Sequence, residues 1–284
     1  MFERISRSWT LVKASAAVLQ QDRKLLLFPL ISAVAMFTVL LSFALPVLGV
    51  MFMGSGARME STQGSSTFYL AAFLFYMSEY FVIFFFNAAL VAAAMARLNG
   101  EAPSVRDSLK IAASKWIAIL GYAAIAATVG MVLRAIQERV GFVGRIVAGL
   151  LGAGWTIATY LVVPVLVARD VGPVDAVKES AQILKRTWGE NLAGQAGMGA
   201  VFGVLQFLLI LLGAGLMFMA ISAGSAFLLV LCTVLIGGAI LLSLLVHGAL
   251  SGIYSAALYR YATQNGNTQG FDSDAMRLAF VTKA

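Results

Sequence analysis

Charged residues are scarce in this sequence: Asp, Glu, Lys and Arg make up 12% of the 284 residues, whereas hydrophobic residues make up 61%. A soluble globular protein is roughly half apolar and carries about 25% charged residues. The sequence also has a single cysteine and a single histidine, which exclude a disulfide framework and a Cys/His metal cluster. With a mean hydropathy of +0.90, the composition indicates a protein that lies in a lipid bilayer.

Six apolar stretches are long enough to cross a bilayer, whose hydrocarbon core of about 30 Å needs about 20 helical residues. The first stretch is longer than the apolar core of a signal peptide and is therefore predicted to remain as a span. We predict an all-α, polytopic membrane protein that forms a single membrane domain over residues 1–284. The predicted spans are residues 25–53, 68–96, 117–133, 142–168, 192–219 and 226–259.

The basic residues predict the orientation of these spans, because cytoplasmic loops are enriched in Lys and Arg. Sixteen of the 20 basic residues lie in the amino-terminal segment, the second and fourth loops and the tail. The first and third loops contain the remaining four, and the fifth loop contains none. We therefore expect a multi-pass protein of the plasma (inner) membrane with both termini in the cytoplasm. Orientation accounts for the net charge of +7, so no nucleic-acid partner is expected.

Three cytoplasmic segments align with one another without gaps. Within each segment, apolar residues recur at spacings of four, three and four, which predicts an amphipathic helix. We therefore predict three repeats of an amphipathic helix followed by a two-span hairpin, over about residues 1–98, 99–170 and 171–262, with a cytoplasmic tail at 263–284. The aligned residues are Ile5, Ser8, Trp9, Leu11, Val12 and Ala16; Val105, Ser108, Leu109, Ile111, Ala112 and Trp116; and Val177, Ser180, Ala181, Ile183, Leu184 and Trp188.

The third of these segments also carries a recognisable motif. Residues 168–180 read A-R-D-V-G-P-V-D-A-V-K-E-S, and Ile183, Leu184, Lys185 and Trp188-Gly189 follow. With this motif the chain resembles an uncharacterised prokaryotic family of six-span integral membrane proteins. It is more distantly similar to the membrane domain of bacterial glycerophosphodiester phosphodiesterases. The resemblance implies an integral plasma-membrane protein and gives no activity, because the sequence contains no phosphodiesterase domain.

Ionisable residues inside spans are costly and are therefore functional candidates. Glu79 and Arg134 each lie eighteen residues from the cytoplasmic end of their span, about 27 Å of helix, so we expect them to pair. Glu138 follows Arg134 at the favourable i,i+4 spacing. This cluster is either an ion or proton relay or, as we favour, a snorkelling group that fixes helix depth.

His247 lies nearer the bilayer middle, and serines four residues to either side predict a neutral, hydrogen-bonded imidazole.

The sequence predicts no catalytic, cofactor-binding or metal-binding residue, and we expect the protein not to be an enzyme. The favoured function is a non-enzymatic scaffold or lipid-interacting protein whose partners are anionic lipids of the cytoplasmic leaflet. The alternative is a transporter or channel for a small solute or lipid, which the scarcity of polar residues in the spans disfavours. Protein partners and homo-oligomer formation are left open. The candidate lipid-facing basic residues are Arg106, Lys110, Lys115, Lys178, Lys185 and Arg186.

Overall fold

A computed structural model describes residue 13 and residues 15–52, 66–186 and 188–263 of the chain. All regular secondary structure in these residues is helical. Most of the first aligned segment, including Ile5 and Ser8, lies outside the described residues, as does the tail from residue 264. The other two aligned segments lie in the helices introduced next.

A helix at residues 15–21 and a 3₁₀ turn at Arg23–Leu26 come before the first long helix. The helices that follow are α1 (Leu27–Phe52), α2 (Ser66–Leu98), α3 (Val105–Ser114), α4 (Trp116–Arg139), α5 (Phe142–Ala158), α6 (Val162–Ala168), α7 (Pro173–Arg186), α8 (Trp188–Ser222) and α9 (Ala226–Thr263).

Six helical stretches of the described chain are long and apolar enough to cross a membrane. They confirm the predicted all-α class and the six predicted spans, with ends that differ by a few residues. The protein is thus a multi-pass membrane protein. The stretches are Arg23–Pro46, Ser66–Leu98, Trp116–Arg139, Gly144–Ala168, Gly197–Ser222 and Ala226–Arg260.

The second span, α2, is the centre of the fold and packs against α1, α3, α4, α6 and α9. Its segment 88–94 contains five alanines, with Leu90 and Val91 between them, and every residue of this segment is buried. Small side chains let neighbouring backbones approach closely, which is how helices gain van der Waals contact in a bilayer where lipid offers no hydrophobic contrast. The sequence A-A-L-V-A-A-A therefore explains why several helices meet at this part of α2.

The buried core lies at the end of the spans that carries Arg97, Arg169 and Arg260. Residues 161–166, 249–250 and 252–260 are buried there. The other ends of the spans expose large apolar side chains, such as Phe218 on α8 and Phe227 on α9, to the surroundings. In a membrane protein such surface is solvated by lipid tails, so the protein is tightly packed in one half of the bilayer and lipid-covered in the other.

The fourth span, predicted as an apolar run at 142–168 whose Pro164 allows a kink, is interrupted. Helix α5 ends at Ala158 and α6 begins at Val162. The cause is Pro164, which has no N–H to donate to the carbonyl of Tyr160 and whose ring would clash with that carbonyl in a regular helix. The three residues between the helices form turns instead.

The second and third aligned segments form helices α3 and α7. The Ser104 Oγ accepts a bond from the Asp107 N–H at 3.1 Å and caps α3, and Pro173 occupies the first turn of α7, where its missing N–H costs nothing. Their inner faces are buried in the protein: Ala112 on α3 and Leu184 on α7 contribute to the core. Part of each apolar stripe therefore packs against the spans, while Ile111 on α3 stays exposed.

Candidate functional site

A polar cleft lies between α1, α2, α9 and the interruption of the fourth span. It has a volume of about 270 Å³. Apolar side chains, including Ile83, Phe86 and Leu90, form part of its wall. Its uncharged polar lining consists of Ser32, Asn87, Tyr160, Ser251 and Ser255.

Three of these polar residues, Asn87, Tyr160 and Ser251, lie at similar depths in the membrane. Asn87 is ten residues from Arg97 along α2, or about 15 Å of helix, and Tyr160 is nine residues from Arg169, or about 14 Å. Ser251 is also nine residues from the basic end of its span. Because the hydrocarbon core is about 30 Å thick, the cleft lies near the middle of the bilayer.

Few of the polar groups in the cleft are bonded within the protein. The Tyr160 hydroxyl donates to the Ser251 carbonyl at 3.4 Å, and the Ser255 hydroxyl donates to the Gly252 carbonyl at 2.9 Å. The side chains of Ser32, Asn87 and Ser251 make no hydrogen bond to another described residue. An unpaired polar group in an apolar medium costs free energy, so these three groups are suited to bond a ligand.

Two glycines of α9 shape the cleft. A Cβ at Gly252 would overlap the Leu90 side chain, so glycine allows α9 to approach α2 closely. A Cβ at Gly248 would lie 3.8 Å from Pro29, which is ordinary van der Waals contact. Gly248 therefore leaves room in the cleft without being required for helix contact.

The predicted ion pair between Glu79 and Arg134 does not form. Arg134 instead donates from Nε to Glu138 at 2.9 Å and from Nη1 to the Tyr76 hydroxyl at 2.7 Å. Tyr76 precedes Glu79 by three residues on α2, about one helical turn. Arg134 therefore reaches the part of α2 expected from its depth in the membrane, but it contacts Tyr76 and not Glu79. The predicted i,i+4 contact with Glu138 is confirmed. No described cation lies within ion-pair distance of Glu79.

His247 makes a different contact from the predicted hydrogen bond. Its ring stacks on the Phe202 ring of α8, with 4.6 Å between centroids and 11° between planes. Because the imidazole is half-buried against an aromatic face, the contact joins α8 to α9 by dispersion. It brings His247 to neither the Arg134 cluster nor the described lining of the polar cleft.

The predicted lipid-facing basic residues do not form one set. Lys115 is mostly covered and donates to the Asp170 carboxylate at 3.0 Å and the Arg169 carbonyl at 3.2 Å. It therefore joins two loops, and its assignment as lipid-facing is corrected. Lys110 and Lys178 are exposed and pair with carboxylates on their own helices. Arg106 and Lys185 are exposed, while the Arg186 side chain lies outside the described part of the chain.

A second cavity of about 540 Å³ lies near Arg169 and Thr263, between the carboxyl ends of α6 and α9 and helix α7. Arg169, at its wall, contacts Glu179 at 3.1 Å. A hydrogen bond between Arg169 and Tyr259 raises the pKa of the guanidinium, which therefore stays charged. These contacts fasten the three helices together at the membrane surface.

The polar cleft was missed in the sequence because its residues come from four distant segments. Asn87 was the available signal, since it is an amide within the apolar sequence F-F-F-N-A-A-L. Side chains of this type hydrogen-bond between helices in membranes.

Comparison with protein families places most of the chain in one of them: a model described as a family of unknown function, DUF6159, matches residues 66–271. Comparisons with curated proteins and with solved structures gave no match. The matched region includes α2 to α9, and thus the described wall of the polar cleft except its α1 residues. The chain therefore belongs to DUF6159, a family whose description gives no function.

Proposed function

We propose that this protein is a non-enzymatic, lipid-interacting membrane protein that receives the uncharged polar part of a lipid in the polar cleft. The observation that carries the proposal is the group of unpaired side chains, Ser32, Asn87 and Ser251, near the middle of the bilayer. Together they offer both hydrogen-bond donors and acceptors. A ligand with a hydroxyl and carbonyl oxygens satisfies both kinds of group.

The charge of the cleft favours a neutral ligand. No Asp, Glu, Lys, Arg or His is among the described residues that line it. A phosphate placed there would lose its hydration without gaining a cationic partner, at a high cost in free energy. A diacylglycerol has one free hydroxyl and two esters and carries no charge, so it fits this chemistry better than a phospholipid does.

The size of the cleft favours a ligand that is only partly enclosed. Pockets that hold drug-sized ligands measure about 300–1,000 Å³, and this cleft is slightly smaller. Beyond the cleft, α1 exposes Val34 and Phe37, and α9 exposes Leu242 and Leu244. These faces provide apolar surface for acyl chains while the cleft holds the polar group.

Photolabelling in defined bilayers tests this function. The probe is a diacylglycerol with a photoreactive group near the glycerol, in phosphatidylcholine nanodiscs, and a phosphatidylglycerol with the same chains and photoreactive group is the charged comparator. We expect the diacylglycerol to label peptides of α2 and α9. Gly248→Leu, which fills the cleft, should reduce labelling about tenfold, corresponding to about 1.4 kcal/mol of binding free energy.

Gly238→Leu is the matched control, because Gly238 lies on the same helix and is exposed, and a Cβ added there would have no neighbour within 4 Å. It should leave labelling unchanged. Equal labelling by the two lipids, or equal labelling of Gly248→Leu and the unsubstituted protein, contradicts the proposal.

The interruption of the fourth span favours transport as a second candidate. Discontinuous spans with polar groups at mid-membrane are typical of transporter binding sites, and Tyr160 joins the interruption to the cleft. In this case a small neutral solute, with glycerol as the probe, passes through the cleft. Stopped-flow light scattering of proteoliposomes under a glycerol gradient tests it: faster relaxation than in empty liposomes, abolished by Gly248→Leu, supports transport.

We further propose a plasma-membrane location with cytoplasmic termini, supported by the distribution of basic residues. The exposed Arg106, Lys110, Lys178 and Lys185 would then face the anionic leaflet, each contributing about 1 kcal/mol of attraction. The threefold repeat, the prokaryotic origin and the distant likeness to the membrane domain of glycerophosphodiester phosphodiesterases stay predictions.

A further inference from the structure

Ser180 of α7 is bonded to the interruption of the fourth span. It is fully buried. Its hydroxyl donates to the Ala158 carbonyl at 2.7 Å and accepts a bond from the Leu161 N–H at 3.1 Å. One side chain of a cytoplasmic helix therefore holds both ends of the interrupted segment.

The two backbone groups are those that the interruption releases. In a continuous helix the Ala158 carbonyl would accept from the Val162 N–H, and the Leu161 N–H would donate to the Ile157 carbonyl. The structure replaces both bonds by contacts with the Ser180 hydroxyl. Since backbone groups in the membrane must be satisfied internally, Ser180 stabilises the interrupted form of the span over a regular helix.

Tyr160 lies between the two groups that Ser180 holds, and its side chain lines the polar cleft. We propose that Ser180 is a positioning residue through which α7 sets the place of Tyr160 and thereby the shape of the cleft. A shift of α7 along the membrane surface then changes ligand binding. This inference rests on the proposed function, in that it assigns regulation to the same cleft.

The position of α7 suits this role. It is a single helix of 14 residues, with Ser180 on its buried face and Lys178 and Lys185 on its exposed face. Because a helix moves as a rigid unit, a displacement of the exposed face also displaces Ser180. Glu179 on the same helix contacts Arg169 at the end of the fourth span, which gives α7 a second attachment to that span.

The surroundings of Ser180 recur in the sequence. The pattern Val, Lys or Arg, any residue, Ser is found at residues 12–15, 105–108 and 177–180. The three serines, Ser15, Ser108 and Ser180, are all buried. This pattern aligns Ser15 with Ser108 and Ser180 in place of Ser8, which shifts the first segment by seven residues, or about two helical turns. Ser108 bonds the Ser104 carbonyl of its own helix at 3.0 Å, so it is a buried serine of the same pattern that holds no interrupted span.

The test compares Ser180→Ala with Ser108→Ala in protein that carries 3-fluorotyrosine at position 160. Fluorine NMR in nanodiscs reports the surroundings of Tyr160, and the photoreactive diacylglycerol described above reports binding. For Ser180→Ala we expect a displaced or split fluorine resonance and about tenfold weaker labelling. Ser108→Ala should leave both signals as in the unsubstituted protein.

The two measurements separate the two proposals. If the unsubstituted protein is not labelled, the proposed lipid function fails, while a displaced resonance in Ser180→Ala still supports the coupling. A resonance unchanged in Ser180→Ala, or displaced equally in Ser108→Ala, overturns the coupling whatever the labelling. If Ser180→Ala does not fold, Ser180→Cys provides the same comparison, because it keeps nearly the same volume but bonds more weakly. Ser180→Thr keeps the hydroxyl and should restore the original resonance.

Discussion

The stability of Ser180→Ala is the most direct measure of how the fourth span is held. The substitution removes one hydroxyl and leaves the Ala158 carbonyl and the Leu161 N–H without their partner. Leaving a buried polar group unsatisfied costs about 1–3 kcal/mol. Two such groups in a fully buried position give an expected loss of about 2–4 kcal/mol in the free energy of unfolding, allowing for some relaxation.

A smaller loss of unfolding free energy would be expected from the average hydrogen bond between membrane helices. Such bonds contribute only about 0.6 kcal/mol, because each group finds another partner when the bond is removed. At this site a replacement partner is hard to find. The Val162 N–H already donates to the Thr159 carbonyl at 3.1 Å, so it no longer serves the Ala158 carbonyl. Pro164 prevents the span from closing into a regular helix. We therefore expect the larger cost to apply.

The assay is reversible unfolding in mixed micelles with increasing denaturing detergent, followed by circular dichroism. Ser108→Ala is the matched control, and we expect it to cost about 1 kcal/mol or less, because its hydroxyl bonds a carbonyl of its own helix. Losses for the two variants that agree within about 0.5 kcal/mol would refute the reasoning, since Ser180 would then be no more than an ordinary buried serine.

Three further predictions follow from the charged residues. Glu79→Gln and Arg134→Gln should be additive in their effect on unfolding free energy, because the two side chains do not pair; a coupling above about 0.5 kcal/mol would contradict this. Lys185→Gln should weaken binding to anionic over neutral nanodiscs at low salt, whereas Lys115→Gln, which loses an internal contact, should lower stability and leave lipid preference unchanged. The Ser104 hydroxyl and Lys110 lower the pKa of Asp107, so the Asp107 carboxylate stabilises the fold above about pH 4 and loses this effect as the pH falls through its folded pKa. Asp107→Asn should therefore flatten the acid side of the pH–stability curve. An unchanged curve would show that the carboxylate has no such effect.

The spans and the helices α3 and α7 were predictable because their signals are local. A run of apolar residues long enough for the bilayer forms a helix whatever surrounds it, and Pro173 and Ser104 mark helix starts by their own chemistry. The interruption at residues 159–161 was only partly predictable. Pro164 signals a kink, but the sequence does not show which side chain satisfies the released backbone groups.

Side-chain partners were less predictable because helix depth alone does not select among neighbours. Arg134 reaches the turn of α2 that contains both Tyr76 and Glu79, and the rotation of α2 about its axis decides between them. That rotation is set by tertiary packing, including the stack of Phe84 on Tyr122 with centroids 4.4 Å apart. The polar cleft has the same origin, since no single segment contains enough of it to give a pattern.

The unpaired polar groups of the cleft have a cost that the fold could have avoided. Alanine at Ser32 or Ser251 would remove a hydroxyl that bonds no described residue, and an apolar residue at Asn87 would suit the neighbouring Phe86 and Ala88. Natural proteins tend to retain locally unfavourable residues where function requires them. The same part of the molecule contains the close approach of α9 to α2 at Gly252 and an interrupted span held by Ser180 of α7. A rigid core around unsatisfied groups is the arrangement that a preorganised binding site requires, whereas a purely structural contact would have its polar groups paired with one another.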